Sequence, residues 1–272
     1  MKNLTTRLHT IAAAALISFG ALAGSNAVAG AVFTVNPNSN GLATLGTIFN
    51  ATQMTGFSSA RVVNTGGNNY TSIGYINYQG FANDGGNVAG TVSRANFDYG
   101  LYATFTQTFT CSGLLAPGVN CSVNSISLSL LGDAGNNNVY NKATLASNAT
   151  VTANGAQVVL GNVNAVVNGV AGINALGGAF QNVNTNFLLT AAGSAFFIAP
   201  IPFYNFAFSA FNNASTGLIC NTANCSGATI VAINDENGTT TFNGNAIPEP
   251  ASLALFGLAL AGVATARRRK NK

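Results

Sequence analysis

The stretch Leu101–Thr110, with the sequence LYATFTQTFT, alternates between two kinds of side chain. One set of positions carries hydroxyl groups, and the other set is apolar at Leu101, Ala103, Phe105 and Phe109. Successive side chains of a β-strand point to opposite faces, so this pattern predicts a half-buried strand with a hydroxyl-rich outer face. The stretch Ser125–Leu130, SISLSL, repeats the pattern with serine and predicts a second strand of the same kind.

Working outward, short strand-like runs recur along the chain, at Val32–Val35, Ala60–Val63, Tyr70–Gln79, Gln157–Leu160, Phe203–Ala210, Thr229–Ile233 and Thr239–Phe242. Turn-forming residues separate them, at Gly66–Asn69, Asn83–Gly86, Asp133–Asn136 and Asp235–Gly238. No amphipathic helix is predicted in this part of the chain. The spacing predicts one all-β domain over residues 30–246, built as an antiparallel β-sandwich or a jelly roll.

The uncharged segment Thr190–Phe211 fits either a membrane span or a pair of strands. Pro200 and Pro202 interrupt it, and the residues that follow alternate in period two. This pattern favours two strands joined by a proline-containing bend.

Charge is scarce, at 6% of the 272 residues. Residues 30–248 hold three cations and five acids, which gives 3 − 5 = −2. Binding to nucleic acid needs clustered cations, so that function class is excluded. The single histidine, His9, lies in the N-terminal segment, and the body therefore has no imidazole for a nucleophilic triad or a zinc site.

The N-terminus has the three parts of a secretory signal peptide. Lys2 and Arg7 precede the apolar run Ile11–Ala23, and Ala27 and Ala29 supply the small residues that a signal peptidase reads. We predict a signal peptide helix over residues 1–29 with cleavage after Ala29. Cleavage after Ala31 and a buried N-terminal helix are the alternatives.

The C-terminus, residues 247–272, carries Pro248, Glu249 and Pro250 directly after its first residue. An apolar stretch follows over residues 251–266 and ends in a basic cluster that includes Arg267, Arg268 and Arg269. As a helix the stretch would span about 24 Å, against about 30 Å for the hydrocarbon core. We predict a transmembrane helix whose basic tail stays in the cytoplasm.

This ending resembles the PEP-CTERM sorting signal, which has the same triplet, membrane segment and arginine-rich tail in the same order. The resemblance implies processing by an exosortase at the triplet and a transient anchor in the inner membrane. The two prolines fix φ and keep the triplet extended, as a protease substrate must be. A plain C-terminal anchor is the alternative.

The body resembles the PepA-type, flocculation-associated PEP-CTERM proteins. The matching stretches are Phe33–Pro37, Asn83–Gly85, Asp98–Ala103, Leu189–Phe197 and Pro202–Tyr204. The resemblance implies a role in cell aggregation within an exopolysaccharide matrix, with no catalytic site to carry over.

Four cysteines fall into two local pairs, Cys111 with Cys121 and Cys220 with Cys225. An exported chain with an even number of cysteines should form disulfides. Three connectivities are possible, and we favour the local one because Cys111 ends a predicted strand and Cys121 precedes the next.

Carboxylates are the remaining candidates for chemistry. A glycosidase needs two of them, which Asp84, Asp98, Asp133, Asp235 and Glu236 could supply. The three aspartates Asp84, Asp133 and Asp235 lie in predicted turns, where aspartate usually caps its own backbone. The spacing of Asp133, Asn136 and Asn138 also permits a calcium loop, although the pattern is incomplete.

These observations predict a protein that is secreted through the Sec pathway, released from its anchor to the cell surface or matrix, and active in flocculation. It would be no enzyme and would need no cofactor. Its expected partners are signal peptidase, an exosortase, the inner membrane and an exopolysaccharide. The alternatives are a carbohydrate-binding module, with exposed aromatic platforms at Tyr75, Tyr78 and Tyr204, and a polysaccharide-active enzyme with two convergent carboxylates.

Overall fold

The computed structural model describes residues 30–213 and 217–243. Within these residues the chain forms seventeen strands and two short helices. The predicted signal peptide and C-terminal transmembrane helix lie outside the described residues. Among the residues described, no helix has the length and apolar character needed to cross a membrane.

The first strands are β1 (Phe33–Val35), β2 (Phe49–Ala51), β3 (Gln53–Gly66), β4 (Asn69–Asn83), β5 (Gly86–Asn87), β6 (Tyr99–Cys111), β7 (Asn120–Ala134), β8 (Val139–Asn141) and β9 (Thr150–Thr152). They are followed by β10 (Gln157–Val163), β11 (Val166–Ile173), β12 (Ala179–Asn186), β13 (Leu188–Leu189), β14 (Phe197–Ala199), β15 (Phe206–Asn212), β16 (Leu218–Cys220) and β17 (Ile230–Asn243). The helices are α1 (Gly90–Ser93) and α2 (Ala191–Phe196), and there are 3-10 turns at Ser39–Gly41 and Ala223–Cys225.

Eight strands form one antiparallel sheet that closes on itself, in the order β3, β4, β6, β7, β11, β12, β15 and β17. Closure occurs on β7, whose first residues pair with β11 while its second half pairs with β10. Strands β10 and β11 follow each other directly and act as one bent strand along β7. The all-β, antiparallel prediction is confirmed, and the arrangement is a single closed sheet in place of two sheets packed face to face.

The alternation in Leu101–Thr110 has the predicted consequence. Its apolar residues point into the closed sheet, where Leu101, Ala103, Phe105 and Phe109 are buried, and Thr104, Thr106 and Thr110 are exposed outside. Strand β6 pairs with both β4 and β7 along almost its whole length. Its pairing therefore fixes which side chains of β4 and β7 face the interior of the closed sheet and which face the outside.

Three of the four predicted turns are present. In the tightest one, β3 ends at Gly66 and β4 begins at Asn69, with positive φ at Gly66 and Gly67. This conformation is open to glycine without strain, which explains the residue choice. The turns at Asn83–Gly86 and Asp133–Asn136 likewise contain residues with positive φ.

The predicted turn at Asp235–Gly238 is wrong, because β17 runs through it without a break. Asp235 is instead the extra residue of a β-bulge, with φ of 57°, and the register with β3 shifts between Asn234 and Glu236. Before the bulge the odd-numbered residues of β17 face the interior, and after it the even-numbered residues do. Ile233 and Glu236 therefore both face the interior. Aspartate tolerates the left-handed conformation that such a bulge needs, and this explains why the sequence resembled a turn.

No amphipathic helix is predicted in the body, and the two helices that the structure contains there are short, α1 with four residues and α2 with six. Helix α2 begins directly after Thr190, whose hydroxyl oxygen accepts a hydrogen bond from the Gly193 amide at 2.9 Å. A single capped turn of this kind is too short to show helical periodicity in the sequence. After it, the chain does form two strands, β14 and β15, on either side of the prolines Pro200 and Pro202, as predicted.

One end of the closed sheet carries both ends of the described chain, and we call it the terminal end. Strand β17 ends there at Asn243, and Gly30 packs against Thr52 and Thr241. A small sheet of β14, β1 and β2 covers this end. Below it the rings of Phe33, Phe197 and Phe203 surround Phe242 with centroid distances of 5.2–5.5 Å.

The opposite end carries the cysteines, and we call it the disulfide end. The structure has both local bonds, Cys111–Cys121 between β6 and β7 and Cys220–Cys225 between β16 and the following 3-10 turn. Beside them the Tyr70 hydroxyl donates to the Ala228 carbonyl and accepts from the Leu115 amide, both at 3.0 Å. These contacts fix the loops that close this end.

The interior is not wholly apolar. The Ser58 hydroxyl donates to the Glu236 carboxyl at 2.5 Å, and Gln107 donates to Gln181 at 2.6 Å. Glu236, Gln107 and Gln181 line a cavity of about 40 Å³ whose other walls are mainly apolar. Burial raises the pKa of Glu236, and the hydrogen bond from Ser58 offsets this only in part.

We expect Glu236 to make stability fall as pH rises. The raised pKa means that the folded protein keeps the proton after the unfolded chain, with an ordinary pKa of about 4.3, has lost it. Above the pKa of the unfolded chain, the contribution of Glu236 to the free energy of unfolding falls by up to about 1.4 kcal/mol per pH unit. The fall ends once the pH passes the pKa of Glu236 in the folded protein. Glu236→Gln removes this loss. The free energy of unfolding of the variant, relative to that of the natural protein, should therefore rise between pH 4 and pH 8.

Urea unfolding across this pH range measures the effect. Asp235→Asn is the matched control, because Asp235 is the adjacent residue but lies outside and pairs with Lys142. Parallel pH profiles for the natural protein and Glu236→Gln would contradict the prediction.

Candidate functional site

The outer faces of β6 and β7 form an array of paired hydroxyl groups. Each threonine on the outer side of β6 lies opposite a serine of β7, the pairs being Thr104 with Ser129, Thr106 with Ser127, Thr108 with Ser125, and Thr110 with Ser122. The inward-facing residues between them fill the core, so packing fixes the array to a rigid sheet. The two stretches that decided the fold in the sequence therefore also build this surface.

A small hairpin of β8 and β9 stands beside the array as a wall. The segment that joins its strands is tied to the sheet by Asn234, whose side chain bonds both backbone groups of Ala143, and by Ser59, which accepts from the Ala143 amide at 2.9 Å. Arg61 donates to the Leu145 carbonyl at 3.1 Å. These contacts hold the hairpin in place over the outer face.

Between wall and sheet lies an open depression of about 360 Å³, which we call the hydroxyl groove. Its polar side chains are hydroxyls alone, and its apolar parts come from the sheet and from β9; its lining includes Thr104, Thr106, Ser127, Ser129, Thr150, Ile73 and Val151. No charged side chain lines the groove among the described residues. A surface of this composition suits an uncharged ligand that is itself rich in hydroxyls.

The hydroxyls of the groove differ in what they already bind. Ser129 donates to the Asn162 side chain at 3.0 Å, and the neighbouring Thr108 and Ser125 hydroxyls bond each other at 2.7 Å. Thr106 and Ser127 are exposed at the centre of the array, and within the described part of the chain they share no side-chain hydrogen bond. These two hydroxyls are open to an incoming ligand.

The prediction of aromatic platforms at Tyr75, Tyr78 and Tyr204 is wrong. Tyr75 lies under the hairpin, with its ring 5.2 Å from that of Tyr140. Tyr78 points into the closed sheet, where its hydroxyl meets Thr240 at 2.9 Å and burial raises its pKa to about 12. Tyr204 is half-buried and donates to the Val32 carbonyl at 2.8 Å. Tyr75 and Tyr78 therefore present no free ring face for a sugar, and Tyr204 is only partly exposed.

The five candidate carboxylates lie in separate surroundings. Asp98 pairs with Arg94 through two hydrogen bonds of 2.5 and 3.0 Å, and this contact lowers its pKa. Asp235 pairs with Lys142, while Glu236, next to it, points into the sheet. Asp84 occupies a turn with positive φ. None of these five side chains lines the hydroxyl groove.

The fifth, Asp133, is committed to its own turn. Its carboxylate accepts from the amides of Asn137 and Asn138, at 2.9 and 3.0 Å, and from Gln157 at 3.2 Å. The side-chain oxygen of Asn138 accepts from the Asn154 amide and from Gln157 as well. Two of the three residues of the possible calcium loop, Asp133 and Asn138, thus use their side-chain oxygens as hydrogen-bond acceptors. Among the described residues, no three His, Cys, Asp or Glu side chains cluster as metal ligands.

The sequence indicated the hydroxyl face but not the groove. The wall residues Thr150 and Val151 belong to a strand of three residues, too short to recognise by alternation. The internal pair of Gln107 and Gln181 was also missed, since glutamine on a strand is usually read as exposed. Ala27, Ala29, Pro248–Pro250 and Arg267–Arg269 lie outside the described residues.

Comparison with known proteins identifies the C-terminus. Residues 246–270 match the PEP-CTERM protein-sorting motif. No curated protein and no solved structure matches the chain, so the similarity of the body to flocculation-associated proteins stays a prediction. The chain thus carries a PEP-CTERM sorting signal, which implies processing by an exosortase, export, and membrane-associated sorting to the cell surface.

Proposed function

We propose that this surface protein is non-enzymatic and binds a neutral matrix polysaccharide through the hydroxyl groove, and that it thereby holds cells together. The observation that carries the proposal is the array of threonine and serine pairs along β6 and β7. The sorting motif brings the protein to the cell surface, where such a polymer would be met.

The chemistry of the groove matches that of a sugar chain. Each hydroxyl is both a donor and an acceptor, as each sugar hydroxyl is, so the two surfaces can exchange hydrogen bonds in either direction. Ile73 and Val151 add apolar contact for the C–H faces of a sugar ring. Each contact of this kind contributes only about 1 kcal/mol, so binding to one chain should be weak.

Weak sites suit a matrix protein. Many copies on one surface engage a long polymer at many points, and the combined attachment can exceed the single-site affinity by about 10²–10⁴-fold. The low charge of the body means little long-range repulsion between copies. Aggregation would therefore arise from the number of contacts.

A polysaccharide-active enzyme is the weaker candidate. Retaining and inverting glycosidases hold two carboxyl groups roughly 5–9.5 Å apart on either side of the scissile bond. Here Asp98 and Asp235 are in ion pairs, Asp133 serves a turn, and Glu236 is enclosed. A carbohydrate-binding module built on aromatic platforms is also less supported, because Tyr75 and Tyr78 are buried and Tyr204 is half-buried.

Removing the two open hydroxyls should weaken polysaccharide binding. Thr106→Val with Ser127→Ala keeps the shape of the groove but deletes its central donors and acceptors. We expect roughly 30-fold weaker binding to the exopolysaccharide of the producing strain, since two hydrogen bonds of about 1 kcal/mol each are lost. Retention on an affinity column of that polymer measures the change.

The matched control is Thr55→Val with Thr239→Val. These residues also form a cross-strand pair on the outer face, but they lie between β3 and β17, away from the groove. The control should bind like the natural protein. Equal retention of both double variants would show that the groove does not carry the binding.

The carboxylates should be dispensable for aggregation. We expect Asp84→Asn and Asp98→Asn each to restore flocs in a deletion strain, because a hydrogen-bonding surface needs no general acid. Sedimentation of the cells gives the readout, with urea unfolding as the check that each variant is folded. A folded variant that fails to restore flocs would favour the enzyme.

The triplet should control processing. If an exosortase acts at Pro248–Pro250, the natural protein loses its arginine-rich tail, and Glu249→Ala leaves a longer product in the membrane fraction. Intact mass of the protein from each fraction separates the two forms. A variant product of the same mass and location as the natural one would refute processing at the triplet.

A further inference from the structure

The terminal end carries the side chains that a water-soluble surface would be expected to hide. Six large apolar side chains are exposed there, namely Val32, Leu45, Ile48, Phe97, Leu188 and Ile201, whereas Leu114, Leu176 and Ile219 are exposed at the disulfide end. Ile201 is 89% exposed, at the tip of the bend between Pro200 and Pro202. Apolar surface of this kind marks contact with another protein or with a membrane.

Contacts in the structure place these residues around the ends of the described chain. Tyr204 bonds Val32 at 2.8 Å, and Phe203, between Ile201 and Tyr204, packs against Phe242, next to Asn243. The Phe187 amide, beside Leu188, donates to the Asn205 carbonyl at 2.7 Å. Asn205 directly precedes β15, whose first residue pairs with Asn243.

The other three residues lie on the same end. Phe97 comes just before the first residue of β6, and Arg94 lies over its ring at 5.7 Å. Gly46, between Leu45 and Ile48, packs against Pro37 and Arg94. Arg94 forms an ion pair with Asp98, and Asp84, whose amide donates to the Thr52 hydroxyl, adds one exposed acid to this end.

The short length of chain after Asn243 limits the distance between the terminal end and the apolar C-terminal stretch. Seven residues separate Asn243 from the apolar stretch that begins at Ala251. Even fully extended, they hold the body within about 28 Å of that stretch. The sorting motif covers the stretch and implies sorting at a membrane. The terminal end is therefore the part of the body kept nearest to the bilayer.

We propose that the terminal end rests on the lipid bilayer during sorting, with Ile201, Phe97 and Leu45 inserted among the headgroups. Apolar side chains on a surface with few charges gain free energy in this interfacial region. The contact would hold the triplet, which begins five residues after Asn243, close to the membrane where an exosortase works. The proposal depends on the sorting motif and is independent of polysaccharide binding in the groove.

The absence of tryptophan from the sequence allows a direct test. Ile201→Trp places a single indole at the terminal end, and Leu176→Trp places one at the disulfide end, where Leu176 is 90% exposed. Each full-length variant is reconstituted in phosphatidylethanolamine–phosphatidylglycerol vesicles, with and without brominated acyl chains. Both sites are exposed, and unchanged urea midpoints verify that the variants fold.

We expect the emission of Ile201→Trp to move to shorter wavelength and to lose most of its intensity in brominated vesicles, with Leu176→Trp unchanged. Unshifted and unquenched emission from Ile201→Trp would overturn the proposal. A shift without quenching that grows with protein concentration would also overturn it and assign the surface to a second copy. An emission shift that requires added exosortase would also overturn the proposal, because the terminal end would then contact the exosortase and not the lipid.

Discussion

The rest of the structure depends on strand β7, which pairs along one of its edges with two different strands. Its first residues meet β11 and its second half meets β10, while β6 occupies the other edge throughout. Each of the eight strands then has a neighbour on both sides, and each side chain is assigned either to the interior or to the surface. A slip of one residue would exchange the buried phenylalanines of β6 with its threonines, so the alternation locks the register.

The bulge at Asp235 shows how the same constraint is met by a sequence that does not alternate perfectly. Without the extra residue, Phe242 and Thr240 would face outward, and Phe242 could not join the rings of Phe33 and Phe197. The bulge also directs Glu236 inward, which is unfavourable for a carboxyl group and explains its raised pKa. Core packing at the terminal end outweighs the cost of one buried acid.

The sequence predicted what depends on local pattern and failed where distant segments meet. Strand β6 and the turn after Gly66 follow from alternation and from glycine, so both were predictable. Tyr75 has the pattern of an exposed strand residue, but a hairpin from residues 139–152 covers it. That covering depends on Asn234 and Ser59, which are about ninety residues from Ala143 in sequence. The groove arises from the same docking, and for this reason its hydroxyl face was foreseen and its wall was not.

The structure separates three tasks along one molecule. The two disulfides lie at one end, the ends of the described chain lie at the other, and the hydroxyl groove opens on the side between them. The groove strands β6 and β7 run from one end to the other, 13 and 15 residues long, or about 45–50 Å at 3.3–3.4 Å per residue. A body that stands on its terminal end therefore leaves the side face open to the surroundings of the cell. The membrane contact and the polymer contact that we propose use different faces, so neither has to end before the other begins.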